Sequence, residues 1–141
     1  MEDSWKHVTL EELETNPDKP GRRWEASPAL GVEAFNFNVA VLEPGERLSQ
    51  NHFHYHENQK ELFYVVFGSC RAETTDATVT LEADDIIAFD EGKAGAHLVY
   101  NPFEEPCKLA AVGWPQDGRY PVHQLETADE ATDGSVGGDS E

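Results

Sequence analysis

The stretch NHFHYHENQKELFYVVFG, residues 51–68, decides the fold because it places three histidines at alternate positions. In an extended strand His52, His54 and His56 would share one face, where alternate side chains lie about 6.5 Å apart. ENQK is a predicted turn, and Glu61 then opens the next strand. Two imidazoles and one carboxylate can therefore converge on one ion across a hairpin, and these ligands suit first-row transition metals.

The region around this hairpin is predicted to be all-β. EAFNFNVAVLE alternates with period two, so that Phe35, Phe37, Val39 and Val41 share one side. Short strand patterns follow at close spacing: CRAET, TVTLE, DIIAF, AHLVYN and CKLAAVGW. Turn signals separate them, and this arrangement is typical of an antiparallel sandwich or barrel.

The strand ELFYVVF predicts which of its side chains face the barrel interior. Phe63, Val65 and Phe67 share the parity of Glu61 and are expected inside. The alternate residues are too apolar for an open surface and are expected to be covered by the N-terminal arm or a second subunit: Leu62, Tyr64 and Val66. Trp5 and Trp24 are the arm's candidate packing residues.

Three segments are expected along the chain. Residues 1–31 form an N-terminal arm, in which Thr9 and Glu12 have capping-box spacing for a short helix and TNPDKPGRRWEASP reads as loop. Residues 32–123 form the barrel domain. Residues 124–141 have almost no apolar content and are expected to be a disordered acidic tail.

The charge balance limits the possible partners. The chain has 28 acidic and 10 basic residues and a net charge of −18. Such a protein repels nucleic-acid backbones and anionic lipid, and its surface is similar to those of salt-adapted proteins. No apolar run is long enough to span a membrane, and MEDSWKHVTL lacks a signal-peptide core. A cytoplasmic protein is therefore expected.

Cys70 and Cys107 are interpreted as reduced core residues.

A fourth ligand is needed to enclose an ion from a second side. His97 heads the strand pattern HLVYN directly after the glycine-containing turn DEGKAG, so it is the best-placed candidate. His7 lies in the N-terminal arm and His123 at the end of the domain, and both are less favoured.

Two motifs resemble the signature of the cupin superfamily. The first comprises Pro44, Gly45, His54, His56, Glu61 and Gly68, and the second comprises Gly92, His97 and Asn101. The resemblance implies an antiparallel double-sheet jelly-roll barrel in which His54, His56, Glu61 and His97 hold one divalent transition metal ion (Fe, Mn, Ni or Zn). It also implies pairing into a homodimer.

The match departs from the usual pattern in four places, one of which is that four residues instead of two separate Gly92 from His97. Eight residues separate Gly45 from His54, and taking His52 and His54 as the pair would shorten that gap while lengthening the distance to Glu61. Asp84 stands where glycine is usual, and Asp90 where proline is usual.

Residues beyond the ligands are assigned to the surroundings of the metal or to substrate contact: Gln50, His52, Phe63 and Asn101. For His52 and Gln50, a partly exposed polar position at the rim of the barrel is an equal alternative. The family includes dioxygenases, decarboxylases and isomerases acting on small oxygenated molecules, so the first hypothesis is a metal-dependent enzyme, with a dioxygenase-like oxidoreductase as one candidate type. A non-catalytic module that binds a small molecule or a metal is the alternative. An open coordination position would distinguish the two.

Overall fold

The computed structural model describes residues 4–17, 21–49, 53–118 and 121–125 of the 141-residue chain. These residues form strands connected by short turns, with a single α-helix, α1 (Ser27–Leu30). The strands are β1 (Arg22–Glu25), β2 (Asn36–Leu42), β3 (Phe53–His56), β4 (Lys60–Phe67), β5 (Cys70–Glu73), β6 (Thr78–Leu81), β7 (Ile86–Phe89), β8 (Leu98–Tyr100), β9 (Cys107–Trp114) and β10 (Val122–Leu125). Short 3₁₀ turns lie at Leu10–Glu12, Lys93–Gly95 and Gln116–Gly118.

The strands form two antiparallel layers. One layer is a five-stranded sheet in the order β1-β2-β9-β4-β7. The other contains β6-β5-β8 and the pair β10-β3. His54 and His97 join these two parts, since each backbone N–H donates to the other residue's carbonyl, at 3.1 and 2.8 Å. The predicted all-β jelly-roll barrel is confirmed.

The main core fills one end of the space between the layers. Its fully buried members come from both layers and include Leu42, Val65, Cys70, Val99, Cys107 and Leu109. Cys70 and Cys107 are free and buried, as predicted. Their mutual hydrogen bond, together with burial, raises the pKa of the Cys70 thiol.

The predicted parity of β4 holds for only part of the strand. Phe63 and Val65 are 2% and 0% exposed, but Phe67 is 45% exposed, so its predicted interior position is wrong. The cause is an irregularity in the pairing with β9 between Val65 and Phe67. An extra residue at such a bulge reverses the side-chain alternation beyond it.

The loop prediction for residues 15–28 is also wrong. β1 lies in this segment and pairs along β2 from Arg22 with Val41 to Glu25 with Asn38. The N-terminal segment therefore contributes an edge strand to the barrel. At the other end β10 runs to Leu125, two residues past the boundary expected for the domain. The rest of the expected tail, 126–141, lies outside the described residues.

The turn before β7 tolerates the aspartate found in place of the usual glycine. Asp84 has a φ of 75°, a left-handed conformation that aspartate adopts more readily than most residues. Its carboxylate accepts a hydrogen bond from the Tyr64 hydroxyl, which raises the pKa of Tyr64. In the described part of the chain, no helix combines the length and apolar character needed to cross a bilayer.

Candidate metal centre

Three predicted ligands converge between the two layers. His54 and His56 lie on β3 with 5% and 8% exposure, and Glu61 faces them from β4 across the hairpin. One possible ligand atom from each of the three lies within 4.8 Å of the others. The alternation of β3 and the short turn before β4 thus bring these groups together as the sequence predicted.

His97 joins this cluster through Glu61 and is held in place on two sides. Its Nδ1 lies 2.8 Å from the Gly95 carbonyl oxygen, which can only accept, so Nδ1 carries the proton. The ring stacks on Phe89, with 3.9 Å between centroids and 14° between planes. The remaining nitrogen, Nε2, lies 2.9 Å from Glu61 Oε1 with its lone pair available to a metal.

The carboxylate of Glu61 lies in an unusual position. Its Oε1 is 3.3 Å from His56 Nε2 and 2.9 Å from His97 Nε2, but it is buried and accepts no hydrogen bond of good geometry. Burial alone raises the pKa of a carboxyl group, yet the two imidazoles outweigh burial and hold the pKa of Glu61 well below its usual range. An ionised oxygen without a donor is costly when buried, and a cation bound between these groups would remove that cost. The donor set fits a divalent transition metal.

A cavity of about 140 Å³ opens beside the cluster. Apolar walls come from Leu48, Phe63, Val99, Ala111 and Val122. Polar groups come from Arg23, Asn36, Asn38, Ser49 and Gln59. Phe63, predicted to border the site, does line the cavity.

Gln59 reaches the cavity because Gly113 has no side chain. A Cβ at Gly113 would lie 2.9 Å from Gln59 Cδ, so the glutamine occupies the space that a larger residue would fill. Gln59 Nε2 donates to the Pro115 carbonyl at 3.0 Å, which fixes the amide beside Glu61. Sequence reasoning missed Gln59, since ENQK was interpreted only as a turn.

Asn101 does not line the cavity. It is fully buried, and its Nδ2 donates to the Leu42 and Glu105 carbonyls at 2.9 and 2.8 Å. Its Oδ1 accepts from the Phe103 N–H at 2.9 Å. The amide is therefore committed to holding the turn between β8 and β9 and is not placed to contact a ligand. Its predicted role in substrate contact is not supported by this placement.

The other histidines lie apart from the cluster. His123 faces away from the cavity, stacks on Tyr55 and lies 2.7 Å from Glu57 Oε1. His7 is exposed in the N-terminal segment. Gln50 and His52, predicted to border the site, lie outside the described residues, so their assignment stays a prediction.

The structure is thus a small two-layered β-barrel with a cluster of histidine and carboxylate side chains beside a cavity. A family model described as Cupin domain matches residues 38–113, more than half of the 141 residues, and the chain therefore belongs to the cupin family.

Similar proteins have several activities. Polyketide synthase CurC of Streptomyces cyaneus is 32% identical over 79 residues, which is 55% of this chain and 49% of that protein. The chain thus spans about half the length of the curated relative it matches. Among solved structures, a cupin-superfamily sugar phosphate isomerase from Silicibacter pomeroyi has a TM-score of 0.72 at 21% identity, covering 86% of this chain and 83% of that one. The polyketide cyclase RemF from Streptomyces resistomycificus has a TM-score of 0.70 at 20% identity, covering 88% and 87%. At these identities the structural likeness shows the fold alone.

Proposed function

We propose that the protein is a metal-dependent enzyme acting on a small oxygenated molecule. His54, His56, His97 and Glu61 would hold one divalent transition metal ion (Fe, Mn, Ni or Zn). The observation that carries this proposal is the buried Glu61 Oε1, which lies against two imidazole nitrogens without a hydrogen bond of good geometry. A binding cation would satisfy all of these groups at once.

Such a centre has the donor set needed for substrate activation. Four protein ligands leave one or two positions on a six-coordinate ion, where the metal would act as a Lewis acid toward a substrate oxygen. The residues of the chain would exclude water and orient the substrate. Phe63 and the aliphatic walls would exclude water, and the Gln59 amide would orient a polar substrate group.

The reaction type is proposed from the names of similar proteins. They include an isomerase, a predicted oxalate decarboxylase from Thermotoga maritima and a polyketide cyclase, and a metal-polarised carbonyl oxygen would assist each kind of reaction. The likeness to CurC and RemF supports a substrate with an apolar body and ketone or hydroxyl oxygens. A dioxygenase reaction, also predicted from the sequence, would need a redox-active metal.

A metal-free binding module is the second candidate, and one contact favours it. His97 Nε2 lies 2.9 Å from Glu61 Oε1, so the imidazole and the carboxylate are already in direct contact without a metal between them. In this case the cavity would bind a small molecule with no open coordination position.

Metal analysis of the purified protein separates the two candidates. We expect about one first-row metal ion per chain in the wild type and a strong reduction in the His56→Ala and Glu61→Ala variants. His123→Ala is the matched control, because this histidine also contacts a glutamate but lies outside the cavity. Equal metal content in all four proteins would refute the ligand assignment. No metal in any of them after reconstitution would support the binding module.

We also propose that the protein forms a homodimer. Val66 and Phe67 at the end of β4 and Ile86 on β7 are 41%, 45% and 62% exposed. β7 is an edge strand of the five-stranded sheet, so these residues border an unpaired edge within the described part of the chain. Light scattering coupled to size-exclusion chromatography should give twice the chain mass of 15.7 kDa, and Ile86→Glu should shift the protein toward the monomer.

A further inference from the structure

Arg23 carries the positive charge of the cavity wall. Among the lining residues that the structure describes, it is the one with a permanently charged cationic side chain. It lies on β1 opposite Ala40, a buried core residue, and therefore faces the barrel interior. The chain as a whole has a net charge of −18, so a cation directed into a partly buried cavity has few counterparts in this protein.

The strand pairing places Arg23 away from the metal cluster. Glu61 pairs with Gly113, which pairs with Asn36. Arg23 pairs with Ala40, four residues further along β2 and on the edge strand. Four residues of a strand span roughly 13 Å, so the guanidinium and the metal ligands approach the cavity from different ends.

The guanidinium is held in a fixed orientation. Its Nη2 donates to the Leu48 carbonyl at 2.7 Å, in a partly buried position. This bond orients the plane of the guanidinium, in which all of its N–H donors lie. Glu25, on the same face of β1, accepts from Asn16 Nδ2 at 2.9 Å.

We propose that Arg23 binds the carboxylate of a small substrate whose other end, a ketone or hydroxyl oxygen, faces the metal cluster. This inference rests on the proposed function and specifies its substrate class. A planar guanidinium matches the geometry of a carboxylate, and a single cation matches a single negative charge. The apolar walls and the amides of Asn38 and Gln59 suit an uncharged body between the two ends. The substrate class is therefore a small oxygenated monocarboxylate, not a phosphate ester.

The test compares two probes of the same shape, 3-hydroxybenzoate and its neutral counterpart 3-hydroxybenzamide. Calorimetric titration of the zinc-loaded wild type should give about 10- to 100-fold tighter binding of the acid, the usual range for a hydrogen bond to a charged group. Arg23→Met should remove this preference, and Arg23→Lys should retain part of it because lysine keeps the charge but lacks the planar fork.

Arg47→Met is the matched control for a purely structural role. Arg47 Nε donates to the Ser49 carbonyl at 3.0 Å, much as Arg23 bonds to Leu48, but Arg47 does not line the cavity. Arg47→Met should keep the wild-type preference for the acid. Thermal melts of all variants identify any that fail to fold, and Arg23→Lys then decides the result if Arg23→Met is one of them.

Repeating the titrations after removal of metal with a chelator separates this inference from the proposed function. The Arg23 side chain remains in the cavity wall when zinc is removed. The preference for the acid should therefore persist without zinc, at lower affinity. A preference that persists while zinc has no effect on binding would refute the metal function and keep the Arg23 assignment. Equal binding of the two probes by the wild type, no binding of the acid, or an unchanged preference in folded Arg23→Met would each overturn the inference.

Discussion

The two ends of the strands β2, β9 and β4 differ in chemistry although the same backbone pairs run through both. At the cavity end, one row of paired residues is Asn36, Gly113 and Glu61. Four residue pairs further along, the row is Ala40, Leu109 and Val65, all almost fully buried. The first row lines the cavity and the second packs in the core, so one sheet supports a candidate site at one end and a core at the other.

This difference indicates that stability and ligand binding are largely separable in this barrel. The core end removes apolar side chains from water, which is the main stabilising contribution in folding. The cavity end leaves polar groups and space beside the candidate metal ligands, which costs stability but leaves room for a ligand. Substitutions in the two rows should therefore affect different measurements.

The largest effect is expected for Leu109→Ala at the core end. Leu109 is 0% exposed, and its truncation should lower the free energy of unfolding by about 2–5 kcal/mol through lost burial and a residual cavity. Urea denaturation measures this change. Asn38→Ala at the cavity end is the control and should cost less than about 1 kcal/mol. Similar losses in the two variants would show that the ends do not differ as described.

A smaller effect is expected from two glycine substitutions that differ in what the new methyl group meets. In Gly68→Ala the Cβ would lie 2.3 Å from the Pro106 carbonyl oxygen, at a φ of 78°, so the backbone must shift. We expect a loss of about 2 kcal/mol or more. In Gly113→Ala the Cβ would meet the end of the Gln59 side chain, which can rotate away but then loses its bond to the Pro115 carbonyl, at a cost of about 1 kcal/mol.

The same pair of variants also separates packing from binding. Gly113→Ala should displace Gln59 and weaken binding of 3-hydroxybenzoate, while folded Gly68→Ala should bind it as the wild type does. Paired thermal melts and titrations measure both properties. If Gly113→Ala loses stability but retains binding, Gln59 contributes to packing and not to the ligand site.

The smallest effect is expected from salt, which screens the surface charges and does not act on the core row or the cavity row. With a net charge of −18, mutual repulsion destabilises the folded protein at low ionic strength. Raising NaCl from about 0.05 to 0.5 M shortens the Debye length and should raise the melting temperature by a few degrees. Leu109→Ala should respond by the same amount as the wild type. A melting temperature independent of salt would contradict this prediction.

The convergence of His54, His56 and Glu61 follows from the sequence because local geometry determines most of it. The alternation of a strand sets the direction of His54 and His56, and one short turn brings Glu61 alongside. His97 was harder to place, since its position depends on pairing with a distant strand. Its position at the head of a strand, directly after a glycine-containing turn, was nevertheless enough to select it as the candidate fourth ligand.

The remainder of the site depends on tertiary contacts that no local pattern shows. Arg23 follows a segment rich in proline and glycine, and its strand exists because it pairs with β2. On β2 the apolar residues alternate along one face of the strand. The opposite face, which carries Asn36 and Asn38, borders the cavity. Binding sites require polar residues toward the interior, so the usual inference from apolar alternation does not identify them.

The backbone pairing between His54 and His97 has a consequence for how such a barrel can diverge. The bonds that join the second layer at this point come from the main chain and involve neither imidazole. A lineage could therefore exchange one of these side chains at a time, and so alter the candidate ligand set, while the backbone bonds that close the barrel are kept. The fold would then tolerate changes in chemistry without passing through an unfolded ancestor.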